Sequence, residues 1–210
     1  MSVFLSINKL LKDTIFPPIC VVCGCFSQKH ICSTCFENIR FMGADICLRC
    51  GNPLSKMPNL KSQSYKSQHF FFNLNFFNSE FEKSYTTVKI CSLCKNEKYN
   101  FYKARSFTHY NKEISEIIHK FKYRKFYFLK GLILGFFVSA FEYYYSQEEI
   151  DFIETVPVFY ENSFEIGHMQ IIAEAFSHKL SLPFCNNIIK LRKTYKQKEL
   201  NADLRRNNLK

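Results

Sequence analysis

Tryptophan is absent from this 210-residue chain, and glycine and proline number only six each. Their place is taken by 24 Phe, 12 Tyr and many Lys, Asn and Ile residues, the balance that AT-rich coding tends to produce. Long hydrophobic runs are missing too. The most apolar stretch, 131–141, lies between Lys130 and Glu142 and has eleven residues, whereas a membrane-spanning helix needs roughly 20. It predicts a buried helix, and no membrane span is expected. No positively charged n-region precedes Val3, Phe4, Leu5 and Ile7, and Lys9, Lys12 and Asp13 follow at once, which argues against a secretory leader. Val3, Ile7, Leu11 and Ile15 recur at helical spacing, so residues 1–16 read as a short amphipathic helix. Without an export signal the chain is expected in the cytoplasm, where thiols stay reduced.

Acidic residues are also in short supply, 18 against 29 Lys and Arg, for a net charge of +11. Such a chain can neutralise phosphates on nucleic acid or on a phosphorylated ligand. Lys-rich coding would produce the same excess, so charge alone decides nothing.

Cysteine is what the chain has in abundance. Eight of its ten cysteines form four Cys-x-x-Cys pairs: Cys20/Cys23, Cys32/Cys35, Cys47/Cys50 and Cys91/Cys94. Each pair sets two thiolates on one side of a tight turn, and two turns supply four soft ligands for a tetrahedral zinc. Gly24 and Gly51, directly after Cys23 and Cys50, suit the turn because glycine accepts positive φ without steric cost. A reducing compartment disfavours disulfides, and the repeated spacing disfavours scattered core cysteines. Two closed four-thiolate sites are expected, structural rather than catalytic because no coordination position is left open. Sequential pairing leaves eight residues between the first two knuckles and forty between the last two. A cross-braced pairing, first with third and second with fourth, is the alternative. Cys25 and Cys185 fall outside the pairs and are expected as buried apolar thiols.

Three regions follow: 1–16, a double zinc ribbon over 17–100 with an insertion at about 54–89, and an α/β segment over 101–210. The insertion holds a polar tract around the aromatic run 69–77. It reads as a poorly ordered insertion whose phenylalanines tuck onto a neighbour; stacking on nucleic-acid bases is the other reading. Beyond residue 101, strand patterns (104–110, 151–158, 187–191) alternate with helical ones (113–121, 126–145, 167–180), which predicts an α/β sheet. The tail from Arg192 is basic and polar. His109, His119, His168 and His178 lack any partner pattern that would make them catalytic.

Several short motifs follow the knuckles in order. They are His119-Lys-Phe-Lys-Tyr-Arg-Lys125, Val156-Pro-Val158, Gly167-x-x-Gln170, Thr194-x-x-Gln197-x-x-Leu200, and then Arg205 and Asn208. In this order the chain resembles the competence protein F (ComF, also GntX-like) family, which joins a double zinc ribbon to a type I phosphoribosyltransferase domain. The resemblance favours sequential zinc pairing. It implies an accessory role in natural competence, in uptake or processing of transforming single-stranded DNA. The ribbon would then be a docking module and a ComF-associated helicase or other competence protein the partner. It alternatively implies a transferase acting on phosphoribosyl pyrophosphate (PRPP) with magnesium, with Arg192, Lys193, Gln197 and Arg205 as substrate-binding residues. The family's Arg-Gly-Phe-Asn-Gln run is here Ile166-Gly-His-Met-Gln170, and the chain holds neither an Asp-Asp pair nor a Gly-Thr-rich phosphate loop. Transfer catalysed by this chain alone is therefore not expected, and the segment reads as a truncated member of the family.

Overall fold

The computed structural model describes residues 17–43, 45–54, 89–97, 99–159 and 167–208. The expected helix over 1–16 and nearly all of the 54–89 insertion lie outside them. The chain divides into two compact units, 1–148 and 149–210.

The first unit begins with two copies of one small module. In the first copy a hairpin-like turn closes with Ile19 bridged to Phe26, the Cys20 N–H donates to the Cys25 carbonyl at 2.8 Å, and the Gly24 N–H donates to the Cys20 carbonyl at 2.9 Å. Twenty-seven positions later Ile46 bridges Pro53, Cys47 N–H donates to the Asn52 carbonyl at 2.8 Å, and Gly51 N–H donates to the Cys47 carbonyl at 2.9 Å. The following pair of cysteines in each copy sits at the start of a one-turn helix. Helix α1 spans Ser33–Glu37 with Cys32 as its N-cap, and helix α2 spans Ser92–Asn96 with Cys91 as its N-cap. Both caps have the same extended backbone, φ −70°, ψ 161° and φ −67°, ψ 161°.

Among the described residues of this unit, two longer helices follow. Helix α3, Lys112–Tyr123, starts where the Asn111 side chain accepts from the Ile114 N–H at 3.2 Å. Glu113 in the first turn and Lys120 and Lys122 in the last complement the helix dipole. Ile114, Ile117 and Phe121 form its buried stripe, the i, i+3, i+7 pattern of an amphipathic helix. It ends at Arg124, and the next residue, Lys125, takes φ +55°. A short 3-10 turn at Tyr127–Leu129 leads into α4, Lys130–Tyr145, whose Leu132, Ile133, Phe136 and Val138 are buried. The run expected to be a buried helix is this one, although Phe137 remains exposed.

Residues 104–110 are expected as a strand of the α/β segment. Their pairing among the described residues is to the ribbon: Phe41 bridges Thr108, and the Met42 and His109 N–H groups donate to the Phe107 and Arg40 carbonyls at 2.9 and 2.8 Å. Phe41, Phe107 and Phe136 then meet with ring centroids 5.2 to 6.4 Å apart. The side chain of Asn111 donates to the Asn38 carbonyl at 2.8 Å, so the residue that caps α3 also fastens it beside α1.

In the second unit the expected α/β sheet is reduced, among the described residues, to one parallel bridge between Ile153 and Phe184. Helix α5, His168–Leu180, lies between the two in sequence. It stops at Ser181, a left-handed cap with φ +55°. A strand pattern becomes a sheet only when backbone groups on both sides find partners and the apolar side chains are covered. Here Val156 and Leu191 are 86% and 83% exposed, so the expected strands 151–158 and 187–191 lack that cover.

Candidate metal centre

The four knuckles converge in sequential pairs. Cys20, Cys23, Cys32 and Cys35 form one cluster and Cys47, Cys50, Cys91 and Cys94 the other, with all four sulfurs of each cluster within 4.8 Å of one another. In a tetrahedral site with Zn–S of about 2.3 Å, neighbouring sulfurs stand about 3.8 Å apart. Cys23 and Cys32 are 3.7 Å apart, as are Cys50 and Cys91. The donor sets therefore fit zinc in both chemistry and size, and the cross-braced alternative is set aside. Bound there, zinc would supply two positive charges to four soft ligands and leave no open position for a substrate.

Local backbone explains why the sulfurs point inward. In each hairpin the turn is completed by a glycine in the left-handed region, Gly24 at φ +76° and Gly51 at φ +72°, as the sequence predicts. Backbone donors then reach the sulfurs: the Val22, Cys35 and Cys91 N–H groups donate to Cys20, Cys32 and Cys47 at 3.4 Å each. Such donors favour thiolate and orient the ligand. Burial opposes ionisation at Cys47, yet the N–H groups of Cys91, Cys50 and Arg49 outweigh it and hold the thiol at about 6. At Cys23 the Cys25 backbone and side chain hold the thiol down at about 6. Burial raises Cys35 and Cys50, and pushes Cys94 up to about 12. Each cluster thus combines at least one sulfur whose backbone donors favour the thiolate with at least one whose burial disfavours it.

Both clusters are braced from later residues of the same unit, the first from α3 and the second from the non-helical segment before it. The ammonium group of Lys120 on α3 donates to the Val21 carbonyl inside the first hairpin. Arg105 donates to the Leu48 carbonyl at 2.8 Å and Arg49 to the Tyr99 carbonyl at 2.6 Å. An arginine fork suits this task because it offers several donors in a fixed plane.

Residues 11–65 match the family model of the double zinc ribbon domain. No curated protein and no solved structure matches the chain. The match ends before Cys91 and Cys94, yet it is these that complete the second cluster across the forty-residue span. The second four-cysteine cluster therefore takes two of its ligands from beyond the matched residues.

Neither cysteine outside the pairs is buried as expected. Cys25 is exposed rather than buried, and its sulfur lies 3.2 Å from that of Cys23. Its hydrogen bond to Cys23 pushes the Cys25 thiol up to about 12. A Cys-x-x-Cys search passes over it; the Cys23-Gly-Cys25 spacing was the signal that could have found it. Cys185 is half-buried in the second unit.

The residues expected to bind substrate lie at 192–205 of the second unit. Arg205 donates through Nε to the Gln197 carbonyl at 2.8 Å, so these two are brought together. Arg192 and Lys193 are exposed on the segment before them. Among the described residues no helix is long and apolar enough to cross a membrane.

Proposed function

We propose that this chain is a zinc-held binding module for single-stranded nucleic acid. It would serve as a ComF-like accessory protein of natural competence, in uptake or processing of transforming single-stranded DNA. The observation that carries the nucleic-acid reading is the corner between α3 and α4. No acidic residue occurs from Ile117 to Phe141, whereas Lys120, Lys122, Arg124, Lys125 and Lys130 all fall within that stretch. Among the cations stand exposed rings: Tyr123 is 59% and Phe128 51% exposed. Phe128 meets His30 of the ribbon at 4.9 Å and Phe126 at 5.2 Å, and His119 meets Tyr123 at 5.0 Å. Cations that follow a phosphate backbone, interleaved with rings on which bases stack, are what a single strand needs regardless of its sequence. On this reading the zinc-held hairpins dock a helicase or another competence protein.

The test is a titration with single-stranded DNA across salt concentrations. Affinity should fall with salt, and losing the charges of Arg124 and Lys125 together should flatten the slope by about 0.7 per lost phosphate contact. Tyr123→Ala or Phe128→Ala should cost about 1–3 kcal/mol for each base that loses its stacking partner. An affinity indifferent to salt would sink the proposal.

One observation favours a second reading, a transferase acting on PRPP. The parallel Ile153–Phe184 bridge with α5 between its partners in sequence is the smallest form of the crossover on which such enzymes are built. Calorimetry with PRPP and magnesium should then give binding heat that Arg205→Ala removes. Absence of heat at millimolar ligand would end that reading.

A further inference from the structure

We propose that Cys23 and Cys25 form an oxidation site, at which a hydroperoxide converts the two thiols to a disulfide and opens the first zinc cluster. Three observations support it. The sulfurs are 3.2 Å apart, within the approach distance of reacting atoms. Both residues are exposed, while Cys20 and Cys35 of the same cluster are buried and Cys32 is half-buried. A small oxidant in water therefore reaches Cys23 more readily than the ligands beneath it. Gly24 stands between them, so the residue joining the two cysteines carries no side chain and has the freest backbone of any residue type.

The chemistry balances in two steps. The Cys23 thiolate attacks the outer oxygen of the hydroperoxide; an S–O bond forms, the O–O bond breaks, and the alkoxide leaves with the proton of the Cys25 thiol. The Cys25 thiolate then attacks the sulfenic sulfur of Cys23; the S–S bond forms, the S–O bond breaks, and the departing hydroxide takes a proton from solvent. Two sulfurs lose two electrons, the peroxide gains them, and one alcohol and one water result. Cys23 can no longer act as a thiolate ligand, so three ligands remain where four are needed.

The repeat within the ribbon supplies an internal control. Cys25 and Asn52 hold equivalent places, each accepting from the first cysteine of its hairpin at 2.8 Å. The second hairpin thus has Asn52 where the first has a fifth thiol. Oxidation is accordingly selective: one zinc leaves and one stays.

The experiment uses the full chain loaded with two zinc ions and treated with hydrogen peroxide. Zinc release is followed with a metallochromic indicator, and disulfides are mapped by peptide mass spectrometry. One zinc per chain should appear in the fast phase, together with a Cys23–Cys25 disulfide that dithiothreitol reverses. Cys25→Asn, which installs the residue of the second hairpin, should start with two zinc ions and release the first at least about tenfold more slowly. Equal release rates in the two proteins, or a first disulfide joining any other pair, would overturn the proposal.

Discussion

Replacing Cys91 with serine is expected to reduce bound zinc from two ions per chain to one, and stripping both ions with a strong chelator should unfold the ribbon. The reasoning starts from how little else holds the hairpins. Each hairpin among the described residues has a single bridge, Ile19–Phe26 or Ile46–Pro53, and each of the helices that follow is only five residues long. A helix that short is not stable on propensity alone. A structural zinc contributes about 10–16 kcal/mol in small ribbon-like modules at neutral pH, comparable with the whole stability of a typical domain, about 5–15 kcal/mol. Cys91 is a sensitive place to cut because it both caps α2 and reaches across the long span to Cys50, 3.7 Å away. Native mass spectrometry counts the ions, and circular dichroism with and without chelator reports the fold. The Cys91→Ser chain should keep the first cluster, because its four sulfurs come entirely from residues 20–35. Equal zinc content in the two proteins, or a ribbon that folds as well in chelator, would refute the structural role.

How much of this was legible in the sequence depends on the range of the interaction. The knuckles were legible because a zinc turn is local: two thiols and two spacers are readable within four residues, and in the two hairpins a glycine follows. Pairing was favoured as sequential on the family resemblance, and the structure bears that out; spacing alone left it open, since Cys50 and Cys91 are separated by forty residues and only their 3.7 Å approach decides between partners. Helices α3, α4 and α5 were legible from their helical patterns, and α4 also from its eleven-residue apolar run. The sheet was misread because alternation at 151–158 describes one strand, while a sheet is a property of neighbours; Val156, 86% exposed, has the residue type of a strand without the cover. Likewise 104–110 read as part of the α/β segment, although Phe107 and Thr108 pair with the ribbon. Cys25 was missed for the opposite reason. Its residue type suggested burial, and only the backbone of the hairpin turns its sulfur outward toward Cys23.

The two ribbon glycines should separate sharply when each is replaced by alanine, although sequence makes them equivalent. Both follow the second cysteine of a hairpin and both occupy the left-handed region, at φ +76° and φ +72°. An alanine there costs about 1–2 kcal/mol from the Cβ alone, and this share is common to both. Their surroundings differ. A Cβ on Gly24 would meet nothing within 4 Å, whereas one on Gly51 would lie 2.6 Å from the Ala104 carbonyl oxygen and 3.5 Å from the Arg105 Cα. These are backbone atoms, and they cannot swing aside as a side chain would. The Ala104 N–H donates to the Arg49 carbonyl at 2.7 Å, and the Arg105 guanidinium donates to the Leu48 carbonyl at 2.8 Å. Relief of the clash would have to pull this strap away from the second hairpin, adding about 1–3 kcal/mol of overpacking strain and loosening the backbone that sets Cys47 and Cys50. Gly24→Ala should therefore lower stability by about 1–2 kcal/mol and leave two zinc ions bound. Gly51→Ala should lower it by roughly twice that and weaken zinc binding at the second cluster alone. Denaturant unfolding of the zinc-loaded proteins gives the first comparison, and competition with a chelator of known affinity gives the second. Equal losses at the two positions would mean that the Ala104 strap does not press on Gly51, and that the second hairpin owes its shape to the turn and the metal alone.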